Sequence, residues 1–89
     1  MIDDAEEVER TVRSVLGDVL GIEAARTDAL ADESGLFGVL PELDSMAVAG
    51  LLTELEDRLG IIIDDDDVDA EMFESFGALL RFVKAKTLQ

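Results

Sequence analysis

Apolar residues recur along this chain at helical rather than strand-like intervals. Val8, Val12, Val15, Leu16, Val19 and Leu20 are separated by 4, 3, 1, 3 and 1 positions, which is one stripe of a helix over residues 3 to 20. Asp3 with Glu6 and Asp4 with Glu7 have capping-box spacing and put carboxylates in the first turn. Gly21 follows the last periodic residue and suits a left-handed stop. Val48, Leu51, Leu52, Leu55 and Leu59 form a second stripe, predicting a helix over residues 45 to 59 with Asp44 as its N-cap and Gly60 as its C-terminal stop. Phe76, Leu79, Leu80 and Val83 predict a last helix over about 76 to 86, with Lys84 and Lys86 suiting its negative end.

The connections are less regular. Residues 21 to 43 show no sustained period and contain Gly35, Gly38 and the single proline, Pro41. A loop this long in a small domain is usually functional. Ile22, Leu30, Leu36, Phe37, Leu40 and Leu43 need apolar cover, so the loop is expected to lie along the helices. Ile61-Ile62-Ile63 has strand-like composition but no second strand to pair with, and is expected to be an extended connector packed on the core. Residues 69 to 74 hold Met72 and Phe73 and read as a short third helix. No internal repeat is visible. The expectation is an all-α fold: one domain over residues 1 to 89, a bundle of three main helices and one short helix with a long first loop.

Charge narrows the function. Among 89 residues, 7 are Lys or Arg and 22 are Asp or Glu, a net charge of −15. Nucleic acid and anionic membranes would be repelled, whereas basic protein partners would be steered toward such a surface. A hydrophobic fraction of 48 % is too high for a disordered acidic tail. No apolar run is long enough to span a bilayer. The acidic start Met1-Ile2-Asp3-Asp4 is unlike a signal peptide, so a cytoplasmic monomer is expected. There is no Cys, His, Trp or Tyr, which removes the usual thiolate nucleophile and the commonest general base. An enzyme acting alone is not expected.

The candidate site is Asp44-Ser45-Met46, where the long loop ends and the second helix begins. A phosphate esterified to Ser45 would sit near unpaired backbone N–H groups and the positive end of the helix dipole. Ser14, inside the first helix, Ser34, within the loop, and Ser75, at a helix junction, are placed less well. Taken alone, Asp-Ser before a helix is also an ordinary cap. As a bare tripeptide, Asp-Ser-Met is expected by chance in about a few per cent of chains this size.

The surrounding sequence resembles the acyl carrier proteins, whose attachment motif is Asp-Ser-Leu at the start of the second helix. Here that motif reads Asp44-Ser45-Met46, and the helix ends in Leu55-Glu56-Asp57-Arg58-Leu59-Gly60. The segment Ile62-Ile63-Asp64-Asp65-Asp66-Asp67 matches the family's apolar-to-acidic stretch after that helix. The likeness extends over nearly the whole chain in helix order, loop placement and acidity. Two features depart from the pattern. Met46 replaces the usual Leu at similar volume, and Pro41-Glu42-Leu43 stands where a Gly commonly precedes the Asp. The string from Pro41 to Val48, together with the Asp-rich turn leading to Phe73-Glu74-Ser75-Phe76, resembles carriers associated with bacterial exosortase and exopolysaccharide loci.

The resemblance implies a carrier of lipid or fatty-acid biosynthesis type rather than an enzyme. It implies 4′-phosphopantetheine on Ser45, donated by coenzyme A and placed by a separate magnesium-dependent phosphopantetheinyl transferase. Asp44 and Met46 would flank the arm, whose thiol would hold acyl groups as thioesters. Acyl-loading and acyl-transferring enzymes with basic patches would be the partners, and Glu42, Glu54, Glu56 and Asp57 are the docking candidates, beside the plain reading of a solvated helix face. Two other functions stay open: a carrier of aminoacyl or D-alanyl groups using the same serine, and an unmodified acidic interaction module or calcium buffer.

Two further motifs carry less. Counted from Asp64, the sixth and twelfth positions of a calcium loop are Asp69 and Ser75, where Gly and Glu are required, so no EF-hand is present. A weak divalent site at Asp64 to Asp67 stays open beside a solvated charge run. Met46 and Met72 read either as soft lining of a lipid gap or as ordinary core.

Overall fold

The computed structural model describes residues 4–36 and 43–87, except for the side chains of Asp4, Ser45 and Asp65. Four α-helices follow in order: α1 (Asp4–Leu20), α2 (Ala24–Asp28), α3 (Ser45–Leu59) and α4 (Phe76–Thr87). Two 3-10 turns, Asp65–Asp67 and Ala70–Phe73, lie between α3 and α4. Among the described residues there is no strand, only an isolated antiparallel bridge between Gly35 and Ser75. The expected all-α bundle is therefore what forms.

The predicted stripes face a single core. Val8, Val12, Val15, Leu16 and Leu20 of α1 are buried, as are Leu51 and Leu55 of α3 and Phe76, Leu79, Leu80 and Val83 of α4. Leu36, Leu43, Met72 and Phe73 join them from the connections. Helix ends obey local chemistry. Gly21 has φ 68° after α1 and Gly60 has φ 63° after α3, a backbone region that Gly occupies without a Cβ penalty. Beyond these glycines, the Ile22 N–H reaches back to the Gly17 carbonyl and the Ile61 N–H to the Glu56 carbonyl.

The structure corrects several expectations. The first connection contains α2, whose five residues are too few to show a period. Thr27 of α2 is buried, with its hydroxyl donating to the Ala24 carbonyl, while the Arg13 guanidinium donates to the Thr27 carbonyl. Tertiary partners rather than propensity thus hold that turn. The expected short helix at 69 to 74 is a 3-10 turn, capped by Asp69 accepting the Met72 N–H at 3.1 Å. The Ile61–Ile63 connector is packed on the core only through Ile63. Extended backbone alternates its side chains, and Ile62 is 75 % exposed. Phe37, Leu40, Pro41 and Glu42 lie outside the described residues, as does Asp3 of the expected capping boxes.

Candidate functional site

The site is built at the start of α3. Leu43 is buried in the core and fixes the chain just before the helix. Asp44 then adopts an extended backbone, φ −115° and ψ −175°, and its Oδ1 accepts the Ala47 N–H at 2.8 Å. Its carbonyl accepts the Val48 N–H, the first α-helical bond of α3. Ser45 is therefore the first residue with helical geometry. An α-helix offers no intrahelical acceptor to the N–H groups of its first turn, so those of Ser45 and Met46 face the helix end.

Met46 is 85 % exposed, so it is neither core nor lining of a closed gap; Met72, by contrast, is core. Asp44 is also exposed. The two residues flanking Ser45 are thus open to solvent and to any enzyme approaching the helix start. Behind it, Leu51 and Leu55 anchor α3 to the core.

The other three serines are occupied. Ser14 Oγ accepts from the Arg58 guanidinium at 3.3 Å, Ser34 Oγ accepts the Ala31 N–H at 2.9 Å, and Ser75 Oγ caps α4 by accepting the Ala78 N–H at 3.1 Å. Each hydroxyl already has a structural task.

The described docking candidates differ from one another. Asp57 is exposed on α3. Glu54 is half-buried and pairs with Arg58 at 2.9 Å. Arg58 also reaches Asp18 of α1 at 2.7 Å, and this bond, with that from Glu54, raises the guanidinium pKa above its ordinary value. Glu56 turns toward the connector, where its carboxylate accepts the Ile63 N–H at 2.9 Å. Two of the three carboxylates therefore brace α3, and Asp57 is the one left open. Its solvent-facing neighbours along the helix are Met46, Ala49 and Thr53, so this stripe is less acidic than the sequence suggests.

The Asp64–Asp67 turn is held by its own capping and by the last helix. Asp67 accepts the Asp64 N–H at 3.1 Å and pairs with Lys86 at 2.6 Å. The lysine lowers the Asp67 carboxyl pKa, and the carboxylate raises that of the lysine. Among the described residues no three potential metal ligands converge.

The arrangement suits a phosphodiester on Ser45. The donors of the first turn and the helix dipole favour an anion, and the nearby Asp44 carboxylate is engaged through its cap bond.

A family described as "Phosphopantetheine attachment site" matches residues 10–83. Among solved structures, the chain is similar to a holo acyl carrier protein from Nitrosomonas europaea determined by solution NMR. The two share 44 % identity at a TM-score of 0.78, over 88 % of this chain and 92 % of the other. A comparison with curated proteins found no match.

Proposed function

From the membership of this chain in the acyl carrier protein family, a group of carriers rather than enzymes that bear covalent 4′-phosphopantetheine, we propose that Ser45 is the attachment residue and that the arm it bears presents acyl cargo to successive enzymes. The observation that carries the assignment is the division of labour among the serines. Ser14, Ser34 and Ser75 are used by the fold, while Ser45 opens α3 behind an intact Asp44 cap.

In the priming reaction the Ser45 oxygen forms a bond to the phosphorus of the pantetheine phosphate as the pyrophosphate bridge of coenzyme A breaks. The nucleotide phosphate leaves, and the likeness to the family implies that a base on the transferase takes the serine proton. The first-turn N–H groups favour the resulting diester charge. When bound, the prosthetic group supplies the thiol that holds the acyl group as a thioester; this chain has no cysteine of its own. Asp44 keeps the helix start in register, and exposed Met46 offers an apolar contact beside the arm.

Family membership implies encounters with a phosphopantetheinyl transferase and with acyl-handling enzymes. We read those partners as presenting basic surfaces, since a net charge of −15 would steer them and let them dissociate again. The likeness of the Pro41-to-Val48 string to carriers associated with exosortase and exopolysaccharide loci supports a carrier of that type, and a need for coenzyme A as donor is in keeping with a cytoplasmic carrier. No helix among the described residues is long and apolar enough to cross a membrane.

The test is incorporation of label from coenzyme A by a broad-specificity transferase with magnesium. One equivalent is expected in the native chain and none in Ser45→Ala. Undiminished labelling of Ser45→Ala would reject the assignment.

A further inference from the structure

Sulfur in this chain is confined to three methionines, since there is no cysteine. Met1 lies outside the described residues, and Met72 is 5 % exposed within the core cluster. Met46 differs from both. It is 85 % exposed, and with Ile62 it is one of two large apolar side chains left exposed among the described residues. Its place on α3 explains this. Leu51 and Leu55 mark the core side of the helix. At 3.6 residues per turn, position 46 lies about 140° from the first and about 180° from the second around the axis. Ala47 and Val48, the next two residues, pack against the core, and Met46 does not. The leucine usual in the attachment motif would fill a similar apolar volume without a sulfur.

A thioether this exposed is open to peroxide. A lone pair on Met46 Sδ attacks one peroxide oxygen, and the O–O bond breaks. The hydroxide released removes the proton from the transferred oxygen and leaves as water. Sulfur is oxidised by two electrons and the peroxide is reduced by two. The product is a sulfoxide, polar and chiral where the thioether was apolar. Methionine sulfoxide reductases, one for each epimer, reverse the change. They convert a dithiol to a disulfide and release the oxygen as water. Because Met46 is not packed on the core, the added oxygen leaves the fold intact. At Met72 the same oxygen would be buried among apolar side chains, at a cost in stability.

Met46 directly follows Ser45 in the chain. An enzyme that bonds a phosphorus to the Ser45 oxygen brings its own atoms into contact with that residue. A side chain one position along, standing clear of the core, lies within its footprint. Covering the thioether removes apolar area from water and favours the encounter. Covering the sulfoxide desolvates a polar oxygen and opposes it.

We propose that Met46 is a site of reversible oxidation, and that the sulfoxide a peroxide forms there weakens the binding of the transferase that modifies Ser45. The proposal rests on the Ser45 reading. The lost contact serves the bound carrier before and during the reaction alike, so the effect belongs in KM rather than kcat.

The experiment treats apo-carrier with hydrogen peroxide, removes the excess with catalase, and locates the added oxygen by peptide mass mapping. The native chain and Met46→Leu, which keeps Met1 and Met72, are assayed before and after treatment with coenzyme A, magnesium and a broad-specificity transferase. The expected result is oxygen at Met46 ahead of Met72 and an unchanged melting temperature. The native KM should rise about tenfold with kcat unchanged, a factor equivalent to roughly 1.4 kcal/mol. Sulfoxide reductases should restore it, and peroxide should leave the KM of Met46→Leu where it was. Oxidation of Met72 ahead of Met46 would overturn the proposal, and so would a fallen melting temperature, which places the damage in the fold. An equal rise in KM for Met46→Leu would overturn it too. Mapping the arm in the native chain keeps the two readings apart. An arm on another serine rejects the Ser45 assignment and the proposal with it. An arm on Ser45, with an unmoved KM in carrier oxidised at Met46, rejects the oxidation reading alone.

Discussion

Asp44 Oδ1 accepts the Ala47 N–H at 2.8 Å, tying the residue before Ser45 to the residue two beyond it. The carboxylate is therefore a helix cap first, and any contact it makes with a partner is secondary. Asp44→Ala should lower unfolding free energy by about 1 kcal/mol, whereas Asp44→Asn should retain most of the cap. Urea titration checks the stability change. The transferase assay should show Asp44→Asn closer to native than Asp44→Ala. Equal loss in both variants would mean that the charge, rather than the cap, matters to the enzyme.

The carboxylates of α3 should not respond alike to charge reversal. Asp57 is exposed, while Glu54 is paired with Arg58 and Glu56 accepts the Ile63 N–H. Asp57→Lys should weaken transferase binding through KM, leave thermal stability nearly unchanged, and flatten the salt dependence of the reaction. Glu54→Lys and Glu56→Lys should also lower the melting temperature, since each removes a structural contact. Kinetics measured across a sodium chloride series, together with melting curves, separate the two classes.

These distinctions mark where sequence stops being informative. The stripe from Val8 to Leu20 is legible because burial follows helical period, and the caps at Asp44, Gly21 and Gly60 follow from local chemistry. Period says nothing about a five-residue helix such as α2, whose Thr27 carbonyl is satisfied by Arg13 of another helix. Nor does an acidic residue on a helix reveal whether it faces a partner or, like Glu56, folds back on its own chain. Gly77 carried a faint signal, a glycine in the first turn of a predicted helix, but its reason, an Asp32 carbonyl oxygen that would lie 2.8 Å from a Cβ there, belongs to a loop more than forty residues earlier in the sequence.

The Lys86–Asp67 pair predicts a pH dependence. The Asp67 carboxyl is held below its usual range, chiefly by Lys86 and then by the Asp64 N–H. A depressed carboxyl adds stability above its unfolded value, about 3.9, and loses it as pH falls through the lower folded value. The Lys86 ammonium is raised by Asp67. Its contribution is complete below its unfolded value, about 10.4, and is lost as pH rises through the higher folded value. Lys86→Met should therefore melt below the native chain at pH 7, with the gap closing in strong acid and again in strong alkali. A constant gap would assign the loss to packing of the lysine stem.

The net charge of −15 makes self-repulsion a general term. Salt screens it over about 10 Å at 0.1 M, so the melting temperature should rise with sodium chloride. A falling melting temperature would show instead that ion pairs such as Arg58–Asp18 outweigh the repulsion.

The central claim is tested most directly by fragmenting the intact carrier in a mass spectrometer after co-expression with a phosphopantetheinyl transferase. The account predicts a single added phosphopantetheine, localised by flanking fragment ions to Ser45. An arm on Ser14, Ser34 or Ser75, or a chain left wholly unmodified by a transferase that is active on other carriers, would contradict it.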